Sequence, residues 1–312
     1  MTNRRDFLVK FTMAAGAVTF LQPLNVFANV GTILPTNSTT KLTILHTANI
    51  KGQWSALGVN ESMAGLGGLQ NIGKKIAEIK KEETSVVVID AGNLLGYPLQ
   101  TKEDRLLFYK KVSSAGYDAL VPGVFELALG KNNYQDLLKE SNLNLDSDNN
   151  ALALDAALPY SIIKKGKNRI GIIDGGIVAL KSSHNTATLH AAAAVSQTAH
   201  LLRTSKNCTL IICIVQSPGK KCLKIAGLSS GVDVMISTVE NSLVYNTQIV
   251  RNKMDHEVIL SYAGTKGAMM SRIDLTLNEK GEKINVATKA ILTGAENETY
   301  AGILKRCTVY NA

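Results

Sequence analysis

Short apolar runs rich in β-branched residues alternate with helical segments along most of this chain. The run Ser85–Asp90 (SVVVID) is typical of a strand buried on both faces, and Gly68–Lys81 carries apolar residues at helical spacing. This alternation predicts a layered α/β fold in which helices cover the sheets. Further predicted strands are Lys41–His46, Ala119–Val121, Arg169–Asp174, Thr209–Val215 and Val232–Ser237, further helices are Asp104–Ala115, Tyr134–Glu140 and His190–Thr204, and predicted closing antiparallel strands are Val258–Tyr262 and Met270–Leu277.

Composition removes several classes of protein from consideration. Hydrophobic residues make up 45% of the 312 residues and charged residues 19%, so the chain can bury a full core and general disorder is excluded. The one long apolar run lies at the N-terminus, which excludes a polytopic membrane protein. The net charge of +9 favours acidic partners. Basic residues are scattered and aromatic residues are few, so we expect no nucleic-acid binding.

The N-terminus reads as an export signal. Arg4 and Arg5 precede a mildly apolar stretch, and this pattern resembles a twin-arginine signal peptide spanning residues 1–28, with cleavage after Ala28. Residues 29–40 are polar and aperiodic, which predicts a flexible tether, and residues 41–312 are predicted as one domain. We therefore expect a periplasmic or otherwise exported protein with no stable membrane span after cleavage. An N-terminal amphipathic helix is the alternative.

The four cysteines match no metal-binding spacing. An exported protein could pair them in disulfides, but Cys208 and Cys213 fall in or beside an apolar strand-like run. Buried free thiols are therefore the preferred interpretation, and disulfides remain the alternative. The cysteines are Cys208, Cys213, Cys222 and Cys307.

Loops that follow the predicted strands should carry the functional side chains, because the carboxyl ends of parallel strands share one edge of a sheet. Their sequences, in order, are LTILHTANIKGQW (42–54), the end of GGLQNIGKKIAEIKKEETSVVVIDAGNLLG (67–96), GYDALVPGVFELALG (116–130), VQSPG (215–219), GVDVMISTVEN (231–241) and VILSYAGTKGAMMSRIDL (258–275). This ordered set resembles the 5′-nucleotidase branch of the calcineurin-like metallophosphoesterases, over roughly residues 41–280. The resemblance implies a single-domain, four-layer α/β/β/α sandwich and a site for two divalent metals.

The chain departs from that family at the metal-site positions. Asn49-Ile50-Lys51 stands for Asp-x-His, Gly92-Asn93 for Gly-Asp, and Gly123-Val124-Phe125-Glu126 for Gly-Asn-His-Glu. Gln216-Ser217 stands for Ser-His, and Thr238-Val239-Glu240-Asn241 for Gly-His-x-His. A bimetal site needs carboxylate charge and neutral imidazoles. The positions that lose a family residue are Asn49, Lys51, Asn93, Val124, Phe125, Ser217, Val239 and Asn241.

These replacements predict a retained fold with a dismantled two-metal site. The expected protein is non-catalytic and needs no metal cofactor, and it binds a partner or an anion. Lys51 is the candidate anion-binding residue, and we hypothesise that it replaces the metal charge and pairs with Glu126. Candidate partners are a separate protein carrying a 5′-nucleotidase C-terminal domain, another periplasmic protein, or an anionic small molecule. The alternative is a metal-dependent phosphoester hydrolase whose unorthodox ligands are Asn49, Asn93, Glu126 and Glu240.

Overall fold

A computed structural model describes residues 39–59, 61, 63–97, 99–143, 157–176, 185–217, 219–238 and 247–294. The predicted signal peptide and nearly all of the predicted tether lie outside these residues, as do Val239, Glu240, Asn241 and Cys307. The three cysteines that are described, Cys208, Cys213 and Cys222, are buried free thiols, as the sequence favours. Within the described part of the chain, no helix is long and apolar enough to cross a membrane.

The described residues form two sheets and the helices that flank them. The strands are β1 (Thr40–Thr47), β2 (Val86–Asp90), β3 (Ala119–Leu120), β4 (Tyr160–Lys165), β5 (Asn168–Asp174), β6 (Leu210–Val215), β7 (Val234–Ser237), β8 (Gln248–Arg251), β9 (Glu257–Tyr262), β10 (Met269–Leu277) and β11 (Lys283–Leu292). The helices are α1 (Leu69–Glu82), α2 (Lys102–Ser113), α3 (Val124–Ala128), α4 (Lys131–Glu140), α5 (Asn185–Thr204) and α6 (Gly219–Leu228).

The sheets each combine parallel and antiparallel strands. The first has the order β11-β10-β1-β2-β3, in which β1, β2 and β3 run parallel and β10 runs antiparallel to β1. The second has the order β4-β5-β6-β7-β9-β8, with β5, β6, β7 and β9 parallel. The carboxyl ends of β1, β2 and β3 therefore share one edge, and those of β6 and β7 share another.

Buried apolar side chains pack the two sheets and the flanking helices into four layers. The residues between the sheets are aliphatic and almost fully buried, and they include Ile44, Val87, Ile212 and Ile236. Helices α1, α2 and α4 cover the outer face of the first sheet, since Leu69, Ile72, Ile76, Phe108, Tyr109 and Leu137 pack with Leu45 and Val88. Helices α5 and α6 cover the second sheet through Ala191, Val195, Leu202, Cys222 and Ile225. The predicted α/β/β/α sandwich is confirmed.

Several elements differ from the sequence-based expectation. The expectation of an antiparallel strand at Val258–Tyr262 is wrong in part, because β9 pairs in parallel with β7 and is antiparallel to β8 alone. Its continuous buried run is typical of a strand inside a sheet, where it has a neighbour on each side. The sequence pattern does not predict β4, β8, β11, α3 or α6. β8 and β11 lie at sheet edges and are half exposed, so their sequences lack a continuous apolar run.

Candidate functional site

The loops after β1 and β2 run side by side at the carboxyl edge of the first sheet. The Asn49 N–H donates to the Gly92 carbonyl at 2.8 Å, and the Lys51 N–H donates to the Asn93 carbonyl at 2.9 Å. Asn49, Lys51 and Asn93 all have φ between 54° and 60°, the left-handed region that asparagine tolerates better than most residues. These two loops therefore hold the predicted site residues in a fixed, tightly turned backbone.

Asn93 connects three loops through its side-chain amide. Its Nδ2 donates to Asn49 Oδ1 at 2.8 Å, and its Oδ1 accepts the Val124 N–H at 2.8 Å. The backbone donor at Val124 fixes the orientation of the amide, because only the oxygen can accept. Asn49 and Asn93 are both buried. The loops after β1, β2 and β3 are therefore joined by neutral hydrogen bonds at the predicted metal-site positions.

Glu126 holds the same loops through its carboxylate, and the residue is 1% exposed. One oxygen accepts the N–H groups of Gly123 at 2.7 Å and Asn93 at 3.1 Å, and the other accepts the Leu95 N–H at 2.6 Å. Burial raises the pKa of Glu126, while the backbone donors lower it. The hydrogen-bond partners of this carboxylate are backbone N–H groups rather than the Lys51 ammonium that the sequence suggests.

Asp90, the last residue of β2, stabilises the loop that follows this strand. Its carboxylate accepts the Thr47 hydroxyl at 2.7 Å and the Gly92 N–H at 2.9 Å, and it is fully buried. Burial raises the pKa of Asp90 well above its ordinary value, and the Thr47 hydrogen bond opposes the shift. This residue shapes the turn that presents Asn93.

The second sheet reaches the site through Gln216 and Ser217, which follow β6. Gln216 Nε2 donates to the Pro122 carbonyl at 2.6 Å and so connects the edges of the two sheets. Ser217 is buried, and its carbonyl accepts the Ser237 hydroxyl at 3.0 Å. Among the described residues, Gln216 Oε1 and Ser217 Oγ have no hydrogen-bond partner. The other predicted site residues of this sheet, Val239 and Asn241, lie outside the described part of the chain.

Tyr97 and three residues of α3, Val124, Phe125 and Leu127, supply apolar surface beside these loops, and we call this group the apolar mouth. Tyr97 is 82% exposed and lies edge-on to Phe125, with 6.2 Å between the ring centroids. Val124 and Leu127 are 42% and 46% exposed. The family pattern points to Val124 and Phe125 but not to Tyr97 and Leu127, because nothing in the local sequence around these two distinguishes them from core residues.

Comparison with known proteins adds evidence for the fold. No family model matches the sequence, and no curated protein matches it. Solved structures do match: a 5′-nucleotidase precursor from Thermus thermophilus has a TM-score of 0.64 and 16% identity, over 87% of this chain and 58% of that chain. The NAD nucleotidase of Haemophilus influenzae has a TM-score of 0.60 and 15% identity, over 82% and 50%. The calcineurin-like phosphoesterase YfkN of Bacillus subtilis has a TM-score of 0.58 and 14% identity, over 88% and 98%.

These similarities confirm the metallophosphoesterase fold that the sequence resemblance implies. At such identities they show the fold alone. The chain spans 58% and 50% of the lengths of the two nucleotidases.

The metal pair that the resemblance implies does not fit the described residues. The side-chain oxygens of Asn49 and Asn93 are neutral, and each already accepts a hydrogen bond. The side chains of Val124 and Phe125 have no atom that can bind a metal. Lys51 brings a positive charge to a position where the family has a metal-binding histidine. Within the described ranges, no group of three His, Cys, Asp or Glu side chains could hold a metal.

A buried carboxyl beside the site makes stability depend on pH. Burial raises the pKa of Asp174, at the end of β5, from 3.8 to about 6, although the Gly176 N–H opposes the shift. A folded-state pKa above the unfolded one stabilises the fold at low pH, and this contribution is lost as the pH rises from about 4 through 6.

Replacing Asp174 with Asn should therefore stabilise the protein at pH 7.5. The gain is at most about 3 kcal/mol, since each pKa unit corresponds to about 1.4 kcal/mol. It should shrink towards zero near pH 4, because there both side chains are neutral. Urea unfolding across this pH range measures the effect, with Asp255→Asn as the exposed control. An equal effect of Asp174→Asn at both ends of the range would contradict the assignment.

Proposed function

We propose that this chain is a non-catalytic relative of the 5′-nucleotidase-like metallophosphoesterases, exported through the twin-arginine pathway, that binds a partner where its relatives in fold would hold metals. The observation that carries the proposal is the Asn93 amide, which bonds to Asn49 and to the Val124 N–H at the position of a family carboxylate. Neutral amides that bond to each other lack the negative charge that two divalent cations require of their ligands.

The apolar mouth is the surface that we propose for the partner. Tyr97 is exposed and lies edge-on to the half-buried Phe125, and Val124 and Leu127 are exposed on the same short helix as Phe125. Aromatic and large aliphatic side chains grouped in this way are typical of the centre of a protein–protein interface. The basic net charge favours an acidic partner. A separate protein resembling the remainder of the nucleotidases, or another periplasmic protein, would be such a partner.

An anionic small molecule bound by Lys51 is the second candidate ligand. The backbone of Lys51 is fixed at this edge of the sheet by its bond to the Asn93 carbonyl. The buried Glu126 carboxylate lies against the same loops and opposes anion binding there. We therefore favour the partner protein over the anion.

The alternative enzyme would need Asn49, Asn93, Glu126 and Glu240 as metal ligands. Both oxygens of Glu126 accept backbone N–H groups, and the oxygens of Asn49 and Asn93 also accept hydrogen bonds. A metal would compete with these bonds for the same oxygens, and it would gain at most one buried carboxylate among the three described ligands. Glu240 lies outside the described residues.

Substitutions in the mouth test the proposed function. The double variant Tyr97→Ser/Leu127→Ser is compared with Val59→Ser, which changes a residue that is 84% exposed and is not part of the mouth. Affinity capture from a periplasmic extract should recover the same partner with the wild type and with Val59→Ser. The double variant should capture at least tenfold less of this partner, because residues at the centre of an interface carry most of the binding energy. Capture that the double variant leaves unchanged would contradict the proposed surface.

The anion is tested on the same preparations by calorimetry with inorganic phosphate and a nucleoside monophosphate. No heat of binding is expected for either. Binding that disappears in Lys51→Met would replace the partner protein by the anion as the ligand of this site.

A further inference from the structure

We infer that the hydrogen-bonded pair Asn49–Asn93, extended to the Val124 N–H, takes over the cross-linking role that a metal pair has in a site built from several loops. Metal ligands drawn from separate loops couple ion binding to folding. Here one amide group joins the loops after β1, β2 and β3 through two bonds of 2.8 Å each. This edge of the sheet therefore folds without an ion, whether or not the mouth binds a partner.

The chemistry of an amide suits this role better than that of a carboxylate. Asn93 needs one donor, for Asn49 Oδ1, and one acceptor, for the Val124 N–H. An ionised carboxylate offers acceptors only, so with the Asn49 amide in its present orientation it would face Asn49 Oδ1 with a second acceptor. In a metal site, a cation between the carboxylates removes such repulsion. In this chain, two neutral amides remove it without a cation.

The backbone around the pair is organised for the same contact. Bonds from the Asn49, Lys51 and Gly52 N–H groups to the Gly92, Asn93 and Leu94 carbonyls align the first two loops, with distances of 2.7–2.9 Å. The left-handed conformations of Asn49 and Asn93 occur at both ends of the side-chain bond. Among the residues that the structure describes, the third loop has no such backbone ladder with the first loop. Side chains join it instead: the Asn93 amide bonds directly to both Val124 and Asn49, and the Glu126 carboxylate adds bonds between the second and third loops.

A double-mutant cycle tests the coupling between the two amides. Asn49→Ala and Asn93→Ala should each lower Tm by about 4–8 °C, since each leaves a buried polar group unpaired. The double variant should lose clearly less than the sum of the two, because the second substitution removes the unpaired partner. Asn133→Ala, at an exposed residue of α4, should change Tm by less than about 2 °C. Additive losses, or single losses no larger than that of Asn133→Ala, would overturn the inference.

A charge at position 93 gives a readout that loss of packing alone would not. Asn93→Asp keeps the shape of the side chain but removes the donor at neutral pH, whereas a protonated carboxyl can again donate to Asn49 Oδ1. The Tm deficit relative to the wild type should therefore be several degrees at pH 7.5 and should shrink at pH 4.5. A deficit that does not depend on pH would overturn the inference. The wild-type Tm should be unchanged by a chelator, and a fall of several degrees would also overturn it. Neither result bears on partner capture, so the two proposals fail separately.

Discussion

Replacing Glu126 with alanine is expected to destabilise the protein by about 3–6 kcal/mol and to leave little soluble material. The carboxylate accepts the N–H groups of Gly123, Asn93 and Leu95, and it is almost fully buried. Each buried N–H left without a partner costs about 1–3 kcal/mol, and the total stability of a typical domain is only about 5–15 kcal/mol. Soluble yield and the urea midpoint measure the loss.

Glu126→Gln keeps this experiment informative if the alanine variant does not fold. The amide retains the oxygen that accepts from Gly123 and Asn93 but turns a donor towards the Leu95 N–H, so we expect a smaller loss of about 1–3 kcal/mol. Glu103→Ala, at an exposed residue in the first turn of α2, is the control and should cost less than about 1 kcal/mol. A wild-type-like midpoint for Glu126→Ala would contradict the role assigned to this carboxylate.

Replacing Gly123 with alanine should cost more than about 3 kcal/mol, because the added methyl group has no space. A Cβ at this position would lie 2.2 Å from the Asn93 backbone nitrogen and 2.3 Å from Asn93 Oδ1. The backbone φ of Gly123 is −94°, which alanine adopts without strain, so the effect is steric. The contacted atoms belong to the hydrogen-bonded loop, and they cannot move without breaking its bonds, which places the cost above the usual range for overpacking.

Gly58→Ala is the matched control for Gly123→Ala. A Cβ at Gly58 would meet nothing within 4 Å, and its φ is not in the left-handed region. We expect a change within about 0.5 kcal/mol by urea unfolding. Similar midpoints for the two variants would show that the loops after β2 and β3 are not packed as described.

The sequence is most informative where strands are buried on both faces. Ser85–Asp90 and Thr209–Val215 agree with β2 and β6 to within one residue, because a short apolar run rich in β-branched residues is typical of a strand with no exposed face. The pattern misses β11 because its sequence KINVATKAIL has no continuous buried run: Ile284, Asn285, Ala287 and Lys289 are exposed at the sheet edge. The parallel pairing of β9 with β7 depends on tertiary packing, and the local sequence of six residues does not determine it.

The candidate site, like the fold, is predicted only in part from the sequence. Residue types at Asn49, Lys51, Asn93 and Phe125 are enough to predict that the ligand charge is gone. The direction of the Asn93 amide cannot be predicted, because it depends on the Val124 N–H from another loop. The role of Glu126 also requires the fold, since the Leu95 N–H comes from a loop that lies 31 residues earlier in the chain.

Metal content tests the central claim most directly. The protein is purified without chelator, dialysed with and without added Mn²⁺ and Zn²⁺, and measured for bound metal and for turnover of a generic phosphate ester. A catalytically intact metallophosphoesterase passes through the same steps as the positive control. The neutral, hydrogen-bonded loops predict far less than one equivalent of metal and no turnover in either preparation. One or two tightly held equivalents together with chelator-sensitive turnover would contradict them.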